Sequence, residues 1–429
     1  MKKLIVYDLV IIGGGTSGCA AAYNASKLGL KTLLVEKSNF LGGLMTGGLV
    51  VPVMKSSVED VNCDYYKKLV SKAKNFNAQI TYKDGNDGWF NPETLKIVLD
   101  DILTSDGIEN NLDILFETTV KEVEVKNNKI EKVILENYST LISVCAKNFI
   151  DCTGSGEFSL LSGCKFIDSD NEVQKNALRF VLGNVDFDRF CNFIKNVDND
   201  ENITTTYRND IDTFGELHFS TASTSDETKI WNLDKILKQA VEEKILLNED
   251  RDYFQIFSIA GSKNQVAFNC PRINNFKNNP FKASNELIYA RKAIYRLFKF
   301  VKKYFVGFND SEITNIASQT GIREFRRVKT KYIYKMNDLI EGKKFKNPVL
   351  TANYPIDVHC DKKSQITTKK IVSYELPIES LMSYDIENLF VAGKIVGADF
   401  ISHSALRVQK SCMSMAEGIV KFIYNKNKK

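Results

Sequence analysis

Three glycines constrain this chain more than any other feature. Gly13, Gly15 and Gly18 follow a short apolar run and open a segment of small residues. Tyr7–Ile12 is rich in Val, Ile and Leu, as a strand buried on both faces requires. Thr16–Leu28 predicts a helix closed by Gly29, where glycine takes the left-handed turn most cheaply. Thr32–Glu36 is a second apolar strand, so a βαβ unit closes within about 30 residues. Each glycine then has a separate role. Gly13 permits the tight turn, Gly15 lets backbone approach a pyrophosphate, and Gly18 packs helix against strand. The helix N-terminus, with Thr16 and Ser17 in its first turn, offers free N–H groups and a positive dipole end to phosphate. Glu36, 18 residues after Gly18, stands where ribose hydroxyls need an acceptor. The pattern predicts dinucleotide binding; the bland alternative is a coincidental glycine turn.

The rest of the chain predicts more than a plain nicotinamide-binding domain. Asn91-Pro92-Glu93 opens a helix, with Asn91 as cap, and Leu95, Val98, Leu99 and Ile102 form its apolar face. A strand at Leu112–Glu117 follows. Val120–Val125, Ile130–Glu136 and Leu141–Cys145 read as a meander, and Phe149–Cys152 as a returning strand that runs into Thr153-Gly154-Ser155-Gly156. Beyond about residue 166, strand-like pieces at Leu178–Leu182, Phe254–Ile259 and Val266–Asn269 alternate with helices, and Asn199–Asp212 is the most loop-like stretch. Ala283–Phe305 predicts a long amphipathic helix. The end returns to the character of the first part, with a strand at Asn388–Ala392, a loop at Gly393–His403, and a final helix from Ser404 to about Tyr424. The expected fold is α/β, a Rossmann-like βαβ domain with an inserted β-meander, assembled from both chain ends. It spans residues 1–165 and 371–429, with an α+β substrate or cap domain at 166–370.

Composition narrows the function classes. The 429 residues are 43% hydrophobic and 26% charged, with a net charge of +5, too dilute to argue for nucleic acid. No apolar run approaches the roughly 20 residues of a spanning helix. Lys2-Lys3 and Cys19 superficially resemble a lipoprotein leader, but Asp8 interrupts the apolar run and cleavage there would remove the glycine motif. The nine cysteines contain no Cys-x-x-Cys, and their scatter fits reduced thiols and a cytoplasmic location. With three histidines, His218, His359 and His403, none at ligand spacing from a cysteine pair, no metal site is expected.

Leu41-Gly42-Gly43-Leu44 follows Glu36 closely, and Asp151-x-Thr153-Gly154-x-Gly156 ends the returning strand. Taken alone, each is a glycine turn; together with the C-terminal strand and helix they favour an elongated cofactor, FAD over NAD. Here the residues carry a resemblance. Asp8-x-Val10-Ile11-Ile12-Gly13-Gly14-Gly15, Glu36-Lys37 and Phe40-Leu41-Gly42-Gly43 resemble FAD-dependent oxidoreductases with a glutathione-reductase type of flavin domain. So do Gly321-Ile322-Arg323-Glu324-x-Arg326-Arg327, Tyr354-Pro355-Ile356-Asp357-x-His359, Glu387 to Lys394, and Leu406-Arg407-Val408-Gln409-x-x-Cys412. These blocks are similar to a bacterial branch known simply as FAD-dependent oxidoreductase. The resemblance implies FAD held by Gly13, Gly15, Gly18, Glu36, Lys37, Gly42, Gly43, the backbone at Val120, Thr153, Gly154 and the loop after Gly393. It also implies a final helix whose N-terminus faces the flavin, where it stabilises charge on the N1–C2=O edge. The sequence departs from that pattern at Lys394, Ser404, Ala405, Lys410 and Thr330.

With one full fingerprint and no dithiol, electrons are expected to pass directly between flavin and a small-molecule substrate, as hydride at N5. His359 is the first candidate for acid/base work, because its ordinary pKa lies near neutrality; the alternative is a hydrogen-bonded loop histidine. His403 and Arg407 are candidate cofactor contacts. Arg323, Arg326 and Arg327 can clamp a carboxylate or stabilise reduced flavin, or else pair with Glu324 and neighbouring acids. The rival readings are a flavoprotein acting on tRNA, a protein that holds FAD without turnover, and an NAD-only dehydrogenase. No nucleic-acid or membrane partner is expected.

Overall fold

The structure is a computed structural model of the chain. It describes residues 4–54, 56–81, 86–168, 173–208, 217–223, 228–276, 279–360, 365–366 and 372–428. The first half follows the apolar pattern: β1 (Ile5–Ile12), α1 (Thr16–Lys27), β2 (Thr32–Val35), α2 (Pro92–Leu103), β3 (Leu112–Leu115), β4 (Thr118–Lys126), β5 (Lys129–Asn137) and β6 (Thr140–Asp151). A second group contains β7 (Phe180–Gly183), β8 (Thr204–Arg208), β9 (Leu217–Ala222), β10 (Gln255–Ser258), β11 (Val266–Phe268), α3 (Pro280–Tyr304) and β12 (Glu312–Ile316). The chain closes with β13 (Leu389–Val391), α4 (Phe400–Leu406) and α5 (Gln409–Asn427).

The first sheet runs β3-β2-β1-β6-β5-β4, with β13 also paired to β6. β1 lies parallel to β2 and β6, and β13 lies parallel to the end of β6, Leu389 opposite Phe149. The last strand of the meander and the returning strand, expected as separate pieces, are one strand. Its first residues pair antiparallel with β5 and its later ones parallel with β1, the exchange falling at Val144. The polar residues Lys147 and Asn148 break the apolar pattern without breaking the strand; Lys147 instead reaches Asp8 at the sheet's open face, 2.7 Å away.

α1 fits this sheet because its first turns, Thr16 to Ala22, carry only small side chains. A Cβ on Gly18 would lie 1.8 Å from the Gly13 carbonyl oxygen, and one on Gly13 (φ +102°) 2.6 Å from that of Cys152. Asn91 caps α2 as expected, its Oδ1 accepting from the N–H of Glu93 and of Thr94, each at 3.1 Å.

The second sheet, β8-β9-β10-β11-β7-β12, is antiparallel throughout and packs a separate aromatic-rich core with α3. Thr204–Arg208 is one of its strands, which corrects the loop expected over Asn199–Asp212; the threonine run suits a pleated edge, and residues 209–212 lie outside the described set. Tyr334, Leu350 and Ile356 bury themselves in the core around α1 and α5, so the chain rejoins that core before residue 371.

The C-terminal helix also differs from expectation. Asp399 accepts from the Ser402 N–H at 2.8 Å and starts α4 inside the expected loop; Val408 is extended (ψ 148°), and α5 begins only at Gln409. The break frees the Arg407 side chain to leave the helix axis and reach Asp357 and Gln174.

Gly18→Val is expected to destabilise the protein by about 3 kcal/mol or more, because the group it meets is backbone and cannot repack. A urea titration followed by circular dichroism checks this; an unshifted midpoint would show that the helix can move away from the sheet.

Candidate active site

A cleft of ≈ 2010 Å³ runs between the two sheets, about twice the upper end for a small-ligand pocket. One wall is the loop between β1 and α1. Gly13, Gly15, Thr16 and Ser17 line it. α1 has no side-chain cap and no acid in its first turn, so its N-terminal N–H groups and dipole face the space uncompensated. Gly15 and Gly42 form a parallel bridge, and the Gly42 N–H donates to the Gly14 carbonyl at 2.9 Å. A Cβ on Gly43 would come within 3.0 Å of Gly15 Cα, whereas one on Gly15 meets nothing closer than 3.9 Å and would fill the cradle itself.

Glu36 and Lys37 line the same end, with the Val120 segment of β4 beyond them. The Glu36 carboxylate accepts from the N–H of Gly14 and of Ser38, both at 2.7 Å; each oxygen keeps a lone pair for a ribose hydroxyl. Thr153 and Gly154 come from the end of β6. Buried Asp151 fixes that loop, accepting from the Thr153 N–H and hydroxyl with one oxygen and from Ser159 with the other. Gly393 joins from the tail: a Cβ there would lie 2.8 Å from the Ser17 hydroxyl. Head and tail of the chain thus build one wall.

Gly18, Gly42 and His403 do not line the cleft. Gly18 and Gly42 are packing glycines. His403 is fully buried, its Nε2–H donating to the Lys394 carbonyl at 2.7 Å, so the cofactor contact expected of it is not made by its side chain. Lys394, not His403, reaches the cleft. Its ammonium donates to the Ile322 carbonyl at 2.6 Å and lines the cleft, and burial with nearby Arg407 pulls its pKa down to about 8. Its position directly after Gly393 was the available sequence signal. The N-terminus of α5 also opens here through Val408 and Gln409, again with no side-chain cap and no acid. The helix end that faces the cleft is therefore Gln409, five residues beyond the expected Ser404.

The other side of the cleft holds Arg179, Tyr253 and Arg272 from the second sheet and its surroundings, Arg323, Asp357 and His359 from the segments that follow it, and Arg407 from the break between α4 and α5. His359 Nδ1 accepts from Arg272 at 3.0 Å, since a guanidinium only donates, and its Nε2–H faces the Asp357 carboxylate at 2.9 Å. Arg272 also lies over the Tyr253 ring, 4.0 Å from its centroid. Burial, reinforced by Arg323, lowers the His359 pKa to about 3. This corrects the near-neutral titration expected of it: the imidazole is neutral, and both nitrogens are engaged. Burial works against ionisation of Asp357, but the His359 hydrogen bond and the charges of Arg407 and Arg323 hold its carboxyl well below the usual range. Arg407 donates to the Asp357 carbonyl at 2.9 Å and to Gln174 at 3.0 Å. Arg327 forms the buried ion pair with Glu324, 3.1 Å, and Arg326 donates to the Ser155 carbonyl and lies over Phe325. Thr330 packs under Gly397, where a Cβ would meet its hydroxyl at 1.7 Å. Arg179, Tyr253 and Arg272 carry no motif; only the folded sheet gathers them.

His359 and His403, both held near pKa 3 by burial against an ordinary 6.5, give a signed pH dependence. The unfolded chain binds the extra protons, so stability is full above about pH 6.5 and falls as pH drops toward 3, by about 2 kcal/mol per histidine at pH 5. Urea midpoints between pH 5 and 8 check this, and His403→Gln should flatten the acid limb. A midpoint that stays level from pH 7 to 5 would show that the imidazoles are not held neutral.

Comparison with known proteins shows the family. The family model described as FAD dependent oxidoreductase matches residues 8–420. A thiamine thiazole synthase of Methanococcus vannielii is 30% identical over 162 residues, 35% of this chain and 57% of that protein. A digeranylgeranylglycerophospholipid reductase 3 of Methanosphaera stadtmanae is 30% identical over 128 residues, 26% and 30% of the two chains. The chain thus spans little more than half the length of the thiazole synthase it matches, and less of the reductase. Among solved structures, a geranylgeranyl bacteriochlorophyll reductase-like protein of Thermoplasma acidophilum aligns over 99% of this chain and 80% of its own, at 14% identity and a TM-score of 0.47. A family match from the first strand to the last helix covers both walls of the cleft, and the chain belongs to the FAD-dependent oxidoreductase family.

Proposed function

We propose that this enzyme transfers a hydride between a small organic substrate and N5 of FAD bound in the cleft. One observation carries the reading: the glycine wall and the arginine–histidine wall line one continuous space, so a substrate on the second wall shares the cleft with a dinucleotide on the first. The single glycine fingerprint and the absence of a Cys-x-x-Cys support direct contact between substrate and cofactor. Among the described residues no helix is long and apolar enough to cross a membrane.

In this reading FAD supplies the centre that accepts or releases the hydride. Gly13, Gly15, Thr16 and Ser17 hold the diphosphate on the N-terminus of α1, and Gly43 keeps that wall free of side chains. Glu36 accepts from ribose hydroxyls, Lys37 and the Val120 backbone border the nucleoside end, and Thr153, Gly154, Gly393 and Lys394 line the middle. The α5 N-terminus at Val408–Gln409 places its dipole where negative charge collects. On the substrate wall, His359 takes or returns the proton of a hydroxyl or amine at Nδ1, the atom that Arg272 now covers. Asp357 holds the Nε2–H tautomer and stabilises the ring when it is charged. Arg323 orients the substrate.

The purified protein is expected to be yellow, and anaerobic mixing with the right member of a panel of alcohols, hydroxy acids, amines and sugars to bleach the flavin band. Gly15→Val should leave the fold intact but the protein colourless, because its new side chain meets only the cradle. His359→Gln should retain flavin while substrate-driven bleaching slows by about 10²–10⁴-fold. Stopped-flow absorbance measures this, and bleaching at the unmodified rate would remove His359 from the chemistry.

A further inference from the structure

The substrate wall carries more positive charge than its own acids balance. Four guanidinium groups, Arg179, Arg272, Arg323 and Arg407, line it, against the carboxylate of Asp357, whose side chain is 15% exposed. That carboxylate is already committed to His359 and Arg407, at 2.9 Å and 3.3 Å. Among the described residues Arg323 makes a single hydrogen bond, to the Lys175 carbonyl at 2.8 Å. Arg179 is 8% exposed and its side chain makes no hydrogen bond or ion pair with any described residue. Its guanidinium lies against the Gly321 backbone, where a Cβ would come within 2.6 Å of Nη1. The backbone that carries it is fixed, the Arg179 carbonyl accepting from the Ala317 N–H at 2.9 Å.

A buried cation without an anion costs several kcal/mol in other proteins, and arginine does not escape by losing its proton. Burial lowers Arg179 only to about 10, and burial with the neighbouring arginines lowers Arg323 only to about 9, so both stay charged at neutral pH. A protein tolerates this arrangement where a ligand completes it.

We propose that Arg179 and Arg323 form a built oxyanion subsite, and that the substrate of this cleft carries a carboxylate or phosphate group which they bind. Planar guanidinium groups bind either group through paired N–H donors. The subsite rests on the reading of this wall as the substrate side. It gives that wall a substrate class: an acid or a phosphorylated compound whose oxidisable carbon sits between the anchor and the flavin. Anion binding also neutralises the Arg323 charge that opposes protonation of His359, which links occupancy of the anchor to the basicity of Nδ1.

The test measures binding without turnover. The flavin-loaded protein is titrated calorimetrically with malonate, with inorganic phosphate and with malonamide, the uncharged match to malonate. Saturable binding of malonate or phosphate but not malonamide is expected, and the preferred anion identifies which group the substrate carries. Arg179→Met should weaken that binding roughly ten- to a hundredfold, and Arg179→Lys should restore part of it. Equal binding of malonate and malonamide, no anion binding at all, or an unchanged affinity in Arg179→Met would each overturn the subsite. If Arg179→Met does not fold, Gly321→Ala, which displaces the guanidinium and keeps its charge, is expected to show the same weakening, and an unchanged affinity there overturns it equally. Anion binding that is intact in a protein whose flavin no carboxylate or phosphate compound bleaches would instead refute hydride transfer and leave the subsite standing.

Discussion

The structure depends on how closely α1 approaches the backbone around it. Gly18 sits on the Gly13 carbonyl with no room for a methyl group, and Gly393 packs on the Ser17 side chain. The small face of α1 also packs against α5, through Cys19, Ala20, Ala22 and their neighbours on one side and Met415, Ala416 and Ile419 on the other. A helix this bare buries little apolar area by itself. It is held because strand, tail loop and C-terminal helix all close on it, and that closure points its N-terminus into the cleft. Placement of the cofactor site and cohesion of the first core are consequences of the same packing.

The two walls solve opposite electrostatic problems. On the glycine wall, part of the positive character comes from backbone, two uncapped helix N-termini with no acid in either first turn, beside the Lys37 and Lys394 ammonium groups. Such dipoles stabilise anions without the cost of burying full charges. On the opposite wall the charges are whole guanidinium groups, packed with Tyr253 and a neutral histidine. There the low-dielectric surroundings raise the stakes of every unpaired group. Asp357 organises this wall, fixing the tautomer of His359 through Nε2 and the direction of Arg407 through backbone and carboxylate together.

Where sequence and structure part, the reason is a partner that the local pattern does not contain. Lys147 and Asn148 look like a strand end, yet β6 continues because it exchanges one neighbour for another at Val144. Thr204–Arg208 looks like loop until β9 lies beside it. The start of α4 is legible in principle, since Asp399 precedes an apolar run as a cap does, but the Gly393 segment upstream reads as one continuous loop. Residue type marks His359 as a candidate, yet its protonation state is invisible locally because burial sets it, together with charges at positions 323 and 407.

Spacing alone determined the βαβ unit, the glycine turn with Glu36 beyond it, and the expectation of a dinucleotide, because each rests on residues within about one supersecondary unit of one another; FAD over NAD needed the returning tail as well. The returning tail was legible too, from an apolar strand and a helix patterned like the first pair. Tertiary structure decided the substrate side. Arg179, Arg272, Arg323, Asp357 and Arg407 come from five separate stretches of chain; Arg323, Asp357 and Arg407 stand in motif blocks, but nothing in the local sequence of Arg179 and Arg272 distinguishes them from solvated surface residues. A guanidinium becomes a binding group only once folding removes its water and leaves its charge unmatched, and that is a property of surroundings rather than of sequence order.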